Sequence, residues 1–344
     1  MQIVYYIVTL VFFFFVYAVL NWGLNIQFGQ TGILNFAYIA FVAVGAYVAG
    51  ALTAGPPAAG SGESYVLGAH LPFAVALILG GLASCLLAVF GGFIALRRLR
   101  SDYLAIVLIS LSLVLYDTIT NYVPLFDGAD GINGVPEPFS GAFKLNANSF
   151  IFVFAGFAGL VMVTGWFFMS RVTRSPLGRT LRAIRDDQDV ARALGKNTFR
   201  YQMVAMLIGA FYAGIGGGLI VEFTGAFNTS SWTTPETFVI FAALIVGGTA
   251  NNGGAVLGSL IVPVIFVELP KFLPEISSRP DLIPEIDNML IGFLLIAVLW
   301  FRPQGVLPER KVRFGPVLEA FPRARQGASR TALTSSGAAR KGPG

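Results

Sequence analysis

Phe150–Met169 reads FIFVFAGFAGLVMVTGWFFM, and Ser175–Arg200, just beyond it, reads SPLGRTLRAIRDDQDVARALGKNTFR. The first stretch is an unbroken apolar run of the roughly 20 residues a helix needs to cross a hydrocarbon core. The second is the one long, strongly charged segment set between such runs. Together they decide the fold: the chain crosses a bilayer and confines its charge to connectors. Ile3–Leu20 and Phe73–Leu96 are runs of the same kind. None shows the alternation of a membrane β-barrel. Backbone polar groups in lipid must be satisfied within their own segment, so the spans are helices. The expected fold is all-α, a polytopic integral membrane helical bundle.

Composition agrees. Hydrophobic residues make up 55% of the 344 and charged residues 12%, with mean hydropathy +0.72; a soluble domain carries about 25% charged residues. Forty glycines suit membrane helices whose backbones approach closely. Spans are expected at 3–22, 24–52, 71–96, 103–121, 150–170, 201–222, 237–250, 255–270 and 288–301, about nine crossings in a range of about 8–10.

Alternating sides then groups residues 97–102, 171–200 and the C-terminal tail on one face. These hold three, eight and nine of the 23 basic residues, against Lys144, Lys271 and Arg279 opposite. The positive-inside rule makes the arginine-rich face cytoplasmic, with the C-terminus. The net charge of +5 is therefore a topology signal, not the footprint of a nucleic-acid binder. The same parity puts the N-terminus outside, unless the second segment is broken into two half-crossings. Ile3–Leu20 has no basic stretch before it and no small-residue cleavage site after it, so it reads as a span rather than a removed signal. Residues 1–313 are expected to form the membrane domain. Residues 314–344, rich in Ala, Arg, Gly, Ser and Pro, read as a disordered cytoplasmic tail.

The charged connector, 171–200, has helix signals at both ends. Ser175-Pro176 suits a helix start, and Gly195 a left-handed stop. Leu177, Leu181, Ile184, Ala191 and Leu194 recur at three- and four-residue steps, interrupted by Gln188, as one apolar stripe. Arg179, Arg182, Arg185 and Arg192 occupy other faces, with Asp186, Asp187 and Asp189 nearby. Such a helix either lies on the lipid surface or docks into a groove of a cytoplasmic protein. Anionic lipid repels the three aspartates, which favours the protein partner.

Residues 21–32 are polar and glycine-rich at membrane depth, where irregular backbone must be buried in protein or line a cavity. Asn25, Gln27, Gln30 and Thr31 are candidate pathway residues; the alternative is a plain loop between two helices. Asn35 either joins the pathway or bonds a neighbouring helix. Gly247–Gly254, GGTANNGG, reads as a tight turn or gate hinge. Asp117, Glu222 and Glu268 fall near the outer ends of their spans, where headgroup water is their expected environment; the alternative is a role in attracting a substrate ammonium group or pairing with a binding protein. The single cysteine, Cys85, reads as a buried packing thiol. His70, the only histidine, has no partners at metal-ligand spacing, and 121–149 reads as a structured external loop.

A family resemblance rests on several of these motifs. Asp189-Val190-Ala191, three residues, then Gly195 resembles the Glu-Ala-Ala-x-x-x-Gly coupling loop of bacterial ABC importer permeases, with Asp for Glu, Val for the first Ala and no downstream Leu-Pro. SPLGRTLRAIRDDQDVARALG, followed by the Gly- and Ala-rich stretch from Gly209 to Gly218, is similar to the permeases of branched-chain amino acid importers. So are Gly23–Gly50 (GLNIQFGQTGILNFAYIAFVAVGAYVAG), RLRSDYLAIVLISLSLVL, ALIVGGTANNGGAVLGSLIV and LWFRPQGVLPERK. Tyr103-Leu104-Ala105-Ile106 and Arg302-Pro303-Gln304-Gly305 resemble the LivM type in particular. The resemblance covers residues 20–313.

The resemblance implies a multi-pass inner- or plasma-membrane subunit forming half of a translocation pathway. Its partners would be a second, paralogous permease, two cytoplasmic ATP-binding subunits, an extracytoplasmic substrate-binding protein and membrane lipid, with no nucleic acid. The coupling helix would meet an ATPase through Arg179, Leu181, Arg182, Ile184, Arg185, Asp189, Ala191, Leu194 and Gly195. The chain has no Gly-x-x-x-x-Gly-Lys-Ser/Thr loop, so no cofactor is expected on it; ATP belongs to the partner ATPases, and the chain is not expected to be an enzyme. The substrate would be a branched-chain or related hydrophobic amino acid. The rivals are urea or a short amide on the same architecture, and an ion-gradient-driven secondary transporter.

Overall fold

The computed structural model describes residues 2–57, 64–98, 101–138, 147–268 and 282–309. Eleven α-helices of six or more residues occur among them: α1 (Gln2–Leu24), α2 (Tyr38–Ala54), α3 (Phe73–Arg98), α4 (Ser101–Asn121), α5 (Ala147–Arg174), α6 (Pro176–Asp186), α7 (Gln188–Ala193), α8 (Thr198–Thr224), α9 (Thr234–Gly247), α10 (Asn252–Leu260) and α11 (Leu282–Phe301). The described residues contain no strand ladder, only isolated bridges pairing Tyr65 with Phe126 and Ile132 with Phe227. A helix stands at each expected span. Five segments are long and apolar enough to cross a membrane: Gln2–Gly29, Phe73–Arg97, Tyr103–Asn121, Ser149–Arg174 and Thr198–Thr224. The protein is a multi-pass helical membrane protein.

The centre is built on glycine. A Cβ on Gly45 would run into the backbone of Gly214, and one on Gly217 into the Val42 carbonyl. α2 and α8 thus pack backbone against backbone, the arrangement small residues permit in membranes. α3 joins them where Ser84 donates to the Phe41 carbonyl at 2.7 Å. Trp22, Tyr38, Phe41 and Phe12 fill the space around them, fully buried. Phe12 of α1 stacks on Phe223 of α8, centroids 3.9 Å apart.

Two expectations about the spans need correction. The segment 24–52 is not one helix. α1 widens into a π-helical turn at Asn25–Gly29, where Gln30 N–H donates to the Asn25 carbonyl at 2.8 Å. The chain then runs irregularly to Tyr38. The spans at 237–250 and 255–270 each begin three residues earlier: α9 and α10 form a hairpin whose turn is 248–251, and α10 continues as a π segment at Ile261–Phe266. Pro263 has no N–H for the α-helical ladder, which accounts for that widening. The tail expected at 314–344 lies outside the described residues.

The chain ends of the helices separate into two sets. Arg97, the α5–α8 connector, the 248–251 turn and residues 302–309 lie at one end. At the other, residues 64–66 bond to 125–127, and 132–135 bond to 225–227. There Tyr47 stacks on Phe126 at 4.8 Å and meets Phe227 edge-on at 5.1 Å. The Ile132 and Phe227 amides exchange hydrogen bonds with each other's carbonyls at 2.9 and 2.8 Å. Gly131 makes this possible: it is left-handed, φ 69°, and a Cβ would overlap the Phe227 carbonyl.

Glu222 departs from expectation. It is 1% exposed, between α8 and α2. Thr53 Oγ1 lies 2.7 Å from its Oε1, and its Oε2 has no partner among the described residues. It does not sit in headgroup water. Asp117 is exposed, and Glu268 accepts from Tyr6 at 2.7 Å.

Candidate functional site: a polar clamp beneath the charged helices

The charged connector folds as two helices, not one. α6 ends at Asp186 because Asp187 is extended, φ −158°, ψ 110°. Its carboxylate then accepts from the Asp189 and Val190 amides at 2.9 Å each, capping α7. Pro176 opens α6 and left-handed Gly195, φ 78°, follows α7, as the composition implied. Ser175 caps nothing; its hydroxyl donates back to the Val172 carbonyl at 2.7 Å. Gly178 allows α6 to fold under α5, since a Cβ there would overlap the Thr173 carbonyl.

The stripe divides accordingly. Leu181, Ile184 and Ala191 are buried within the chain, at 0%, 3% and 3% exposure. They hold the helices against the bundle. Leu194 is 75% exposed and Val190 54%. Arg179, Asp189 and Gly195 are also exposed, Asp189 paired with Arg192 at 3.1 Å. The outward surface is thus a small apolar spot, Val190 and Leu194, ringed by charge. Val190 was absent from the sequence-derived set because it lies off the stripe that a single continuous helix would form.

Arg182 and Arg185 point the other way, into the bundle. Arg185 Nη1 donates to the Gly29 carbonyl, and Nη2 meets Glu309 at 2.9 Å and Asp186 at 3.4 Å. Arg182 Nη1 lies 3.4 Å from Gln30 Oε1. From there a hydrogen-bonded chain continues inward. Gln30 Nε2 donates to the Ala250 carbonyl at 2.9 Å, and the Ala250 amide donates to Asn25 Oδ1 at 2.8 Å. Asn25 Nδ2 donates to Asn252 Oδ1 at 3.2 Å, and Asn252 donates to Thr173 of α5 at 3.2 Å. Trp22 Nε1 holds the Asn252 carbonyl at 3.0 Å. Asn35 donates to Gln27 Oε1 at 2.7 Å, and Gln27 to the Met206 carbonyl of α8 at 3.0 Å. Thr31 donates to the Ile26 carbonyl at 2.8 Å.

All five candidate pathway residues therefore sit in one place, the π-turn and the loop after it. Asn25, Gln27, Gln30, Thr31 and Asn35 are 0–2% exposed. In this conformation they form a closed clamp bonded to the chain itself, sealed from solvent rather than lining an open channel. A buried network whose members are each satisfied rigidifies what it joins.

The 248–251 turn is the opposing jaw. Ala250 is left-handed, φ 61°, and Gly248 has φ 118°. Asn251 caps α10 through the Gly253 and Gly254 amides, at 3.0 and 3.4 Å, and donates to the Leu307 and Pro308 carbonyls at 3.3 and 3.2 Å. Val306 and Leu307 amides close on the Val246 and Gly247 carbonyls at 2.8 and 2.9 Å. The closing segment thus straps the turn and carries Glu309 to Arg185. Sequence reasoning missed Trp22, Thr173, Asn252 and Glu309 as members. All four stood in stretches already singled out: Trp22 in 21–32, Thr173 in 171–200, Asn252 in GGTANNGG and Glu309 in LWFRPQGVLPERK.

The comparisons agree with this architecture. Residues 6–299 match the family model described as "Branched-chain amino acid transport system / permease component". The chain is 29% identical over 314 residues to the high-affinity branched-chain amino acid transport system permease protein LivM of Salmonella typhimurium, covering 85% of this chain and 68% of that one. It is 27% identical over 330 residues to the probable LivM of Methanocaldococcus jannaschii, covering 88% and 94%. Identity to LivH of Salmonella typhimurium is 27% over 319 residues, covering 86% and 92%. No solved structure matches. With a family match spanning nearly all the described helices, the chain belongs to the branched-chain amino acid transport permeases.

Proposed function

We propose that this chain is one permease half of an ATP-driven importer for branched-chain amino acids, in which α6 and α7 receive the stroke of a cytoplasmic ATPase. The observation that carries this reading is the reach of Arg182 and Arg185. They leave a charged, partner-facing helix and end on Gln30 and Gly29, inside the clamp. Moving α6 by a few ångströms breaks a charge-assisted hydrogen bond to a backbone carbonyl, worth about 1.5–3 kcal/mol. That is enough to bias a two-state gate by tenfold or more.

The basic end is then cytoplasmic by the positive-inside rule. The ATPase docks on Val190, Leu194 and the surrounding charges, while Leu181, Ile184 and Ala191 transmit its push to the bundle. A second, paralogous permease completes the pathway, and a substrate-binding protein delivers the amino acid to the end carrying Phe126 and Phe227. The curated relatives' names supply the substrate class. ATP is used by the partner subunits.

The test is reconstitution of the full transporter in vesicles, with leucine uptake and ATP hydrolysis measured together. The expected result is leucine uptake that requires ATP and the binding protein. Uptake by this chain alone under a proton or sodium gradient would overturn it. ATP-driven uptake of urea with none of leucine would overturn the substrate alone.

A further inference from the structure

A cavity of about 600 Å³ lies in the membrane-spanning region, among apolar residues that the clamp does not use. α8 forms its floor with Ile208, Phe211 and Ile215; α3 and α5 form its walls, through Leu77, Cys85 and Phe168 among others. Phe168 is 53% exposed, so the cavity opens sideways to the lipid. Cys85 is accordingly half-buried on the groove wall, its thiol 3.4 Å from the Leu207 carbonyl, and not a core thiol.

The floor continues toward the basic end along one helix face: Ile215, Phe211, Ile208, Val204, Arg200, at three- and four-residue steps. The α3 wall ends in Arg97, which lies over Phe93 at 5.0 Å. Phe93 meets Phe199, the residue before Arg200, edge-on at 6.4 Å, so Arg97 and Arg200 share the groove mouth. Both arginines are exposed, and neither has a carboxylate partner among the described residues. From Arg200 to Ile215 the helix rises about 22 Å, the depth of one leaflet with its headgroups, about 20–22 Å.

We infer that this groove binds an anionic phospholipid, one acyl chain lying along α8 and the phosphate held by Arg97 and Arg200. An apolar slot that continues along one helix face to a pair of arginines matches an acyl chain joined to a phosphate. Guanidinium groups match phosphate oxygens in geometry as well as charge. A transmembrane helix of the second permease is the less suitable occupant, because it would face two arginines without carboxylate partners at the groove mouth.

The test uses the assembled transporter in phosphatidylcholine vesicles carrying trace phosphatidylglycerol or phosphatidylcholine with a diazirine midway along one acyl chain. After illumination, label is mapped by peptide. The expected result is labelling of the peptides holding Cys85, Ile208 and Phe211, favouring the phosphatidylglycerol probe. Each of Arg97→Gln and Arg200→Gln should reduce that preference about fivefold. Ile208→Trp, which leaves the arginines untouched, should block labelling by both probes. Equal labelling by the two probes would overturn the proposal. So would exclusion of both probes from these peptides in the assembled transporter, which would place a permease helix in the groove.

Discussion

Arg185 holds the Gly29 carbonyl, 156 residues away in sequence, with one guanidinium nitrogen while the other pairs with Glu309. One side chain thus ties the charged helix, the π-turn and the closing segment together. Arg185→Ala should cut uptake at least tenfold, with ATP hydrolysis reduced much less, because the stroke no longer reaches the turn. Arg185→Lys, a compact charge without the planar fork, should recover part of the loss. Uptake and hydrolysis measured on the same vesicles check this; equal loss of both would point to failed assembly instead.

The Arg185–Glu309 pair is partly exposed, 25% and 30% by side chain, so its own contribution is modest, about 0–1 kcal/mol. Glu309→Gln should lower uptake less than threefold, and high salt should reproduce most of the effect. A double-mutant cycle with Arg185→Ala separates this pair from the bond to Gly29. A Glu309→Gln defect as severe as Arg185→Ala would mean the strap, not the turn, is the receiver.

The two faces of the charged helices should respond differently. Leu181 is fully buried, so Leu181→Asp places a carboxylate in an apolar contact and should prevent stable extraction of the chain. Leu194→Asp and Val190→Asp change exposed side chains. They should leave the detergent melting temperature within about 2 °C, since such surface changes fall within about 0.5 kcal/mol, yet abolish co-purification of the ATPase. Retained ATPase in both exposed variants would remove these residues from the docking surface.

Much of this was legible in the sequence because lipid imposes length. Each expected span contains a helix, and Pro176 and Gly195 bound the charged connector. The break at Asp187 was hidden, since Leu181, Ile184, Ala191 and Leu194 keep a helical spacing across it; the cap acts through backbone amides that leave no periodic trace. Burial inside the bundle was equally hidden. In α2 and α8 almost every residue is apolar or small, so no polar face marks which side meets lipid. Glycine pairs such as Gly45 and Gly214 carry that information only once the helices are aligned. The polar residues of 21–35 were recognisable as special, but their bonds run to residues more than 170 positions away, at Met206 and Ala250.

Gly217 gives a direct test of the central packing. A Cβ there would overlap the Val42 carbonyl, with Ala46 N 3.0 Å away. Gly217→Ala should therefore destabilise the α2–α8 contact by about 1–3 kcal/mol, read as a lower melting temperature in detergent. Gly156 is the control: an added Cβ meets nothing within 4 Å, so Gly156→Ala should be neutral or slightly stabilising, by up to about 1 kcal/mol of helix propensity.

Glu222 offers the last test. Its buried carboxylate has Thr53 on one oxygen and nothing on the other among the described residues. An unpaired charge in that setting is costly, whereas a neutral amide of the same shape can keep the bond to Thr53. Glu222→Gln should therefore preserve uptake within about twofold and leave the melting temperature unchanged or higher, since the amide keeps the shape and the bond to Thr53 without a group whose ionised form is costly to bury. Glu222→Ala should lower stability by leaving a cavity beside Thr53. If Glu222→Gln abolishes uptake while the protein melts normally, the carboxylate itself takes part in transport, and the outer end of α2 and α8 becomes part of the substrate's route.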